Sequence, residues 1–136
     1  KWNGPFALKG VMSVEDAKRA IDIGCTAIMI SNHGGRQLDG SRSPFDQLPA
    51  IKDAVGDNAK LIAGTGTYST KETVTLTKLA EETGMDGVMI VTPYYNKPSQ
   101  TGILKHFQEV MNNTNLPVMA YNIPGRTGTL IELDTV

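Results

Sequence analysis

Apolar and polar positions along the chain switch between two periods, and the switches mark the elements. Residues 6–12 read as a short strand. Ser13-Val14-Glu15-Asp16 reads as a helix cap with an acidic first turn. Val14, Ala17, Ala20 and Ile21 then recur at helical spacing, and Gly24 closes the helix. Residues 26–31 form a continuous apolar run, as expected of a strand buried on both faces of a parallel sheet. Residues 32–42 are rich in Gly, Asn, Asp and Ser and predict a loop. Residues 44–55 follow as a helix with Phe45, Leu48, Ile51, Ala54 and Val55 on one face; Pro49 predicts an end, a kink or a late start there.

Residues 60–63 predict a third strand. Ser69 or Thr70 caps the next helix, whose inner side is read as Val74, Leu76, Leu79 and Ala80, with Gly84 at its end. Residues 87–91 form a fourth strand and 92–99 a loop holding Pro93 and Pro98. The helix over 102–111 faces inward through Ile103, Leu104, Phe107 and Val110, which leaves His106 as an exposed residue. Residues 117–121 make a fifth strand, 122–128 a loop, and 130–136 the opening of another helix.

Five strands alternating with helices, at strand spacings of about 20–35 residues, predict βα units with parallel strands. The fold class is therefore α/β, in one domain over residues 1–136. Alternation alone fits both a partial (β/α)₈ barrel and an open doubly wound sheet. The chain has 136 residues, whereas a whole barrel takes about 250. Part of a barrel leaves strand edges open, so a homo-oligomer is expected.

Composition narrows the partners. Net charge is −1 with 20% charged residues, so no general attraction to nucleic acid or anionic membrane is expected. No apolar run approaches the roughly 20 residues that cross a bilayer, and residues 1–5 do not resemble a signal peptide. The first residue is Lys1, read as the end of a processed, trimmed or excised chain. Cys25 is the only cysteine, which excludes an internal disulfide and suits a buried thiol.

Chemistry in either architecture gathers at the C-terminal ends of the strands. Lys9 follows Phe6-Ala7-Leu8, and its position suggests a side chain at the barrel mouth, where an ammonium could stabilise negative charge or simply reach solvent. His33 and Arg36 flank two glycines. An imidazole can take a proton and a guanidinium can grip a carboxylate, which suits a small anionic ligand; capping a turn is the plainer role. Tyr94, Tyr95 and Tyr121 place phenols at strand ends, for proton relay or for packing. Arg126 lies between Gly125 and Gly128 as a candidate anion contact. No metal-ligand spacing, Walker loop or nucleophile elbow is present, so no metal is expected.

Two stretches resemble known families. Residues 2–57, through Ala7-Leu8-Lys9-Gly10-Val11, Ser13-Val14-Glu15-Asp16-Ala17 and Ser31-Asn32-His33-Gly34-Gly35-Arg36-Gln37-Leu38-Asp39, resemble the flavin-dependent 2-hydroxy-acid oxidases and dehydrogenases. That resemblance implies Lys9 against FMN, His33 as the base and Arg36 on the substrate carboxylate. Residues 59–136, through Ile62-Ala63-Gly64-Thr65-Gly66, Val91-Thr92-Pro93-Tyr94-Tyr95-Asn96-Lys97-Pro98 and Tyr121-Asn122-Ile123-Pro124-Gly125-Arg126-Thr127-Gly128, resemble dihydrodipicolinate synthase and its pyruvate-dependent aldolase relatives. There Tyr121 would relay protons, Tyr95 would join a site shared between subunits, and Arg126 would attract the anionic co-substrate. Both resemblances imply (β/α)₈ barrels of cytoplasmic enzymes, and they meet near Gly56-Asp57-Asn58.

Each inherited site is incomplete. The flavin family's N-terminal half and phosphate-binding segment are missing. The lysine that forms an imine with pyruvate belongs on a strand after Tyr121, and the threonine pair that holds pyruvate's carboxylate belongs before residue 59; neither is in this sequence. The expectation is an engineered or recombined barrel fragment with no complete activity and no tightly bound cofactor. Two alternatives stand beside it: FMN-dependent oxidation of a 2-hydroxy acid with His33 as base, completed by another chain, and a pyruvate-dependent lyase.

Overall fold

A computed structural model describes every residue except Lys1, Arg36, Gln37, Asp39 and Val136. The elements are β1 (Ala7–Val11), α1 (Val14–Asp22), β2 (Ala27–Ile30), a 3-10 turn at His33–Gly35, α2 (Pro44–Val55), β3 (Lys60–Gly64), α3 (Thr70–Glu82), β4 (Gly87–Val91), α4 (Gln100–Met111), β5 (Val118–Tyr121), α5 (Pro124–Thr127) and a 3-10 turn at Leu133–Thr135. Strand order in the sheet follows chain order, and the pairings of β1 with β2, β2 with β3 and β4 with β5 are parallel. This is the predicted α/β alternation. The chain divides into two compact units, Lys1–Ala63 with Thr83–Asp86, and Gly64–Glu82 with Gly87–Val136.

Hydrocarbon packing holds the first unit. Ser13 Oγ accepts the Asp16 N–H and starts α1; Ser43 Oγ does the same for Asp46 at α2, with Pro44 in the first turn. Helix α1 packs on α2. Ala17, Ala20, Ile28, Leu48, Ile51, Val55 and Leu61 are all 2% exposed or less, and each larger aliphatic side chain so buried stabilises by about 1.5–3 kcal/mol. Cys25 is buried and unpaired. Pro49 neither ends nor kinks α2, which runs unbroken past it. It sits on the exposed side of the helix, while burial of Leu48, Ile51 and Val55 on the other side offsets the one backbone bond it removes. Strand β1 carries an irregularity: Lys9 pairs with Met29 and Val11 with Ile30, leaving Gly10 as the extra residue of a bulge. At the far end of β3 the Asp86 carboxylate accepts the Leu61 N–H at 3.0 Å and the Lys60 ammonium at 2.7 Å. Burial works to raise the Asp86 pKa, but these bonds outweigh it and hold the group below its ordinary value.

Polar side chains help to fill the second unit. Helix α3 packs on α4 and β4, and its buried residues are Thr73, Thr77 and Ala80. The apolar stripe read from the sequence is displaced: Leu79 is 45% exposed. Helix α4 turns in through Ile103, His106 and Val110, with Leu104 outside. The expectation of an exposed His106 is therefore corrected, since only 3% of it is exposed. Thr77 is accommodated because its hydroxyl bonds Thr65 Oγ1 at 2.9 Å; His106 is paired through one ring nitrogen, its Nδ1 bonding Thr70 Oγ1 at 2.9 Å, while its buried Nε2 has no hydrogen-bond partner among the described residues. A buried polar group is tolerated when it is so paired. The helix expected over 130–136 is only a 3-10 turn. Among the described residues no helix is long and apolar enough to cross a membrane.

Candidate functional site

Sequence-predicted residues fall into both units, Lys9 in the middle of β1 and the other described ones at or just beyond the C-terminal ends of strands. In the first unit, Lys9 extends its ammonium to Ser31 Oγ at 3.4 Å, and the same oxygen accepts the His33 N–H at 3.2 Å. His33 has φ +57°, an uncommon conformation for a residue with a side chain. It is held there by Asn32, whose Oδ1 accepts the Gly34 and Gly35 N–H groups at 3.0 and 3.3 Å. The imidazole lies over Gly10: a Cβ on that glycine would come within 2.8 Å of His33 Cε1. The absent side chain at the bulge is thus what lets the ring sit beside β1. Arg36 lies outside the described residues.

In the second unit the strand-end loops carry phenols and a guanidinium. Gly66 allows the chain after β3 to press against β4, since a Cβ there would meet Val91 N at 2.5 Å. Beyond β4, Thr92 is fully buried, with its Oγ1 lacking a hydrogen-bond partner. Tyr94 meets Tyr68 edge to face, ring centroids 5.8 Å apart, and Asn96 Nδ2 donates to Tyr68 O at 3.3 Å. Between them Tyr95 has φ +73° and is 94% exposed. A tyrosine in the left-handed region, offered almost wholly to solvent, is a strained display of the kind that collects at functional loops.

Tyr121 is the last residue of β5, half-buried. Arg126 is exposed on α5, five residues on. Thr127 Oγ1 lies within hydrogen-bond distance of two carbonyls, Ile123 O at 3.2 Å and Thr129 O at 2.9 Å, and shares its one hydrogen between them, and Gly128 ends the turn in the left-handed conformation. The returning chain is clamped twice. Asn122 exchanges two bonds with Ile131, and Gln100 bonds Leu130 O, the Glu132 N–H and the Thr135 hydroxyl. Lys97 lays its methylenes on Gly128, within 3.1 to 3.8 Å of where a Cβ would stand. Arg126 is thereby carried on a short turn anchored on both sides.

The structure brings Lys9 and His33 together around Ser31 in one unit, and sets Tyr95, Tyr121 and Arg126 on strand-end loops of the other. Sequence reasoning missed the polar supports behind these loops. Thr65 and Thr77 sit twelve residues apart, and Thr70 and His106 thirty-six. Threonines at 73 and 77 stand four apart on α3, a spacing that could have flagged a buried hydroxyl stripe. Burial lowers the His106 pKa from its ordinary value. Among the described residues no group of three His, Cys, Asp or Glu side chains converges to hold a metal.

Comparison with known proteins gives one family across the chain. The model of the dihydrodipicolinate synthetase family matches residues 8–136. The 4-hydroxy-tetrahydrodipicolinate synthase of Acidothermus cellulolyticus is 42% identical over 137 residues, covering 97% of this chain and 44% of that protein. The solved 4-hydroxy-tetrahydrodipicolinate synthase of Methylacidiphilum fumariolicum SolV superposes with a TM-score of 0.86 at 32% identity, over 98% of this chain and 49% of that one. The chloride-inhibited dihydrodipicolinate synthase of Acinetobacter baumannii, solved with pyruvate, gives 0.78 at 33% identity, over 95% of this chain and 46% of that one. The chain thus spans less than half the length of these relatives. One match runs through residues 8–57 as well as 59–136, with no break near residue 57. The flavin-enzyme reading of the first stretch, FMN with it, and the join between two families therefore find no support. The physical reason lies in location: barrel enzymes of unrelated chemistry all place polar, glycine-rich loops at the strand ends, so one such loop after β2 does not carry a family. Over the whole of its matched length this chain belongs to the dihydrodipicolinate synthetase family.

Proposed function

We propose that this chain contributes the tyrosine–arginine part of a pyruvate-dependent lyase site of the 4-hydroxy-tetrahydrodipicolinate synthase kind. The observation that carries this reading is Tyr121 on the last residue of β5 with Arg126 on the anchored turn directly after it, in a chain that matches the family over residues 8–136. No described residue hydrogen-bonds the Tyr121 phenol or the Arg126 guanidinium, so both are open to a ligand. In this reading the phenol passes protons as pyruvate's carbonyl becomes an imine. Arg126 draws in the carboxylate of the second substrate, and Tyr95 reaches toward a neighbouring subunit. No lysine follows Lys105 in these 136 residues. As a 136-residue polypeptide the chain is therefore expected to form no imine: borohydride with pyruvate should leave its mass unchanged.

The positive test joins residues 1–136 to the remaining C-terminal part of the Acidothermus cellulolyticus relative. Lyase turnover is expected with a raised KM for pyruvate, because the threonine pair that holds its carboxylate is still missing, and Tyr121→Phe should lower the remaining kcat by about 10²–10⁴-fold. A full kcat in that variant would sink the assignment. Association belongs to the same reading. Strands β1 and β5 end the sheet, and Leu8 on β1 and Met119 on β5 are 39% and 43% exposed. Open strands and exposed apolar side chains favour self-pairing, so a native mass spectrum of the 136-residue chain should show an oligomer.

A further inference from the structure

The proposed lyase reading leaves one cluster in the first unit unused. Lys9, in the middle of β1, reaches Ser31 just beyond the end of β2, and His33 follows in the turn after it. Ser31 Oγ accepts twice, from the Lys9 ammonium at 3.4 Å and from the His33 backbone N–H at 3.2 Å. With its lone pairs so engaged, the Ser31 hydroxyl has its own hydrogen left to give. An ammonium carries three N–H groups and uses one here. The His33 ring has no hydrogen-bond partner among the described residues and stays exposed. Its place beside β1 depends on the Gly10 bulge, where any Cβ would strike the ring. The cluster is therefore rich in donors and short of an acceptor. No described carboxylate pairs with Lys9, although Lys52, Lys60 and Arg19 each have one.

We propose that Lys9, Ser31 and His33 form an oxyanion site that takes a phosphate group. The Lys9 ammonium and the Ser31 hydroxyl, with the His33 ring beside the neighbouring Gly10, offer several donors, which match the several oxygens of a phosphate better than the two of a carboxylate. A doubly charged ion also gains more from the Lys9 ammonium. The site lies on the first unit alone and does not depend on the lyase assignment.

The chain has two histidines, His33 and His106, so imidazole proton resonances can be read without a full assignment. His106 is buried and serves as the internal control. Inorganic phosphate, glycerol 3-phosphate, pyruvate and chloride are titrated at one pH and one ionic strength. Saturable movement of the His33 signals by inorganic phosphate or the monoester, with His106 unmoved, is the expected result; the tighter of the two names the source. Lys9→Met should weaken that binding at least tenfold, with an unchanged urea midpoint reporting an intact fold. Arg126→Ala should leave it as it was, which separates this site from the lyase residues. Movement of the same size with chloride, saturation by pyruvate alone, or undiminished phosphate binding in Lys9→Met would each overturn the proposal.

Discussion

The two units solve the same packing problem with different materials. Where α1 meets α2, the buried residues are Ala17, Ala20, Leu48, Ile51 and Val55. Where α3 meets α4, they include Thr73, Thr77 and His106. Apolar contacts are non-directional, whereas a buried hydroxyl or imidazole accepts only a partner at the right distance and angle. The first unit is thus secured by volume, the second partly by direction. The second is also the unit that carries Tyr95, Tyr121 and Arg126, and directional bonds are the better means of fixing strand-end loops. The lesson is that polar residues inside a βα layer can serve aim as well as stability.

Four tests probe this contrast. The largest loss is expected from Ile51→Ala in the first unit, about 2–5 kcal/mol by cavity formation, read as a fall in the urea midpoint. A loss below 1 kcal/mol would show that the α1–α2 layer is not carried by packing. In the second unit Thr77→Val strands the buried Thr65 hydroxyl and should cost about 1–3 kcal/mol. The double variant Thr65→Val with Thr77→Val should recover much of that loss, because neither group is then left without a partner. Additive losses would mean that the pair is not directional at all.

The third test is pH. Burial keeps the folded-state His106 pKa below its unfolded value of about 6.5. Its contribution is fully present above that pH. Below it the unfolded chain binds more protons, so stability falls as pH drops. Urea midpoints between pH 7.5 and 5 should show this slope, and His106→Gln should flatten it; an equal slope in both proteins would contradict the role of burial. The smallest effect is expected from Lys60→Met. The Lys60 side chain is 74% exposed, and an ion pair so open to water contributes little. Its urea midpoint should stay within the scatter of the parent protein.

Much of the fold was legible because burial follows period. The strands, the Ser13 cap, the endings at Gly24 and Gly84 and the alternation of elements all came from local pattern. The inner faces of α3 and α4 did not. Thr73, Thr77 and His106 are polar by type, and what makes them interior residues is a partner far along the chain. The same limit applied to Pro49, where a local rule predicted a break and tertiary burial kept the helix whole. At the candidate site, motifs located Tyr121 and Arg126 on their strand-end loops, but not the Asn122 and Gln100 clamps behind them. The glycine-rich stretch after β2 pointed to a second family because a loop of six or seven residues reflects its position at a strand end more than its ancestry.

The Lys97 side chain lying along Gly128 has a bearing on how a ligand would be received. It puts the segment after β4 in van der Waals contact with the segment after β5. A ligand held by Arg126 would quiet both segments for a single entropic cost. By the same contact, a partner that engaged Tyr95 from outside would steady Arg126 in advance, and two contacts that share no atom would be coupled through a bare glycine.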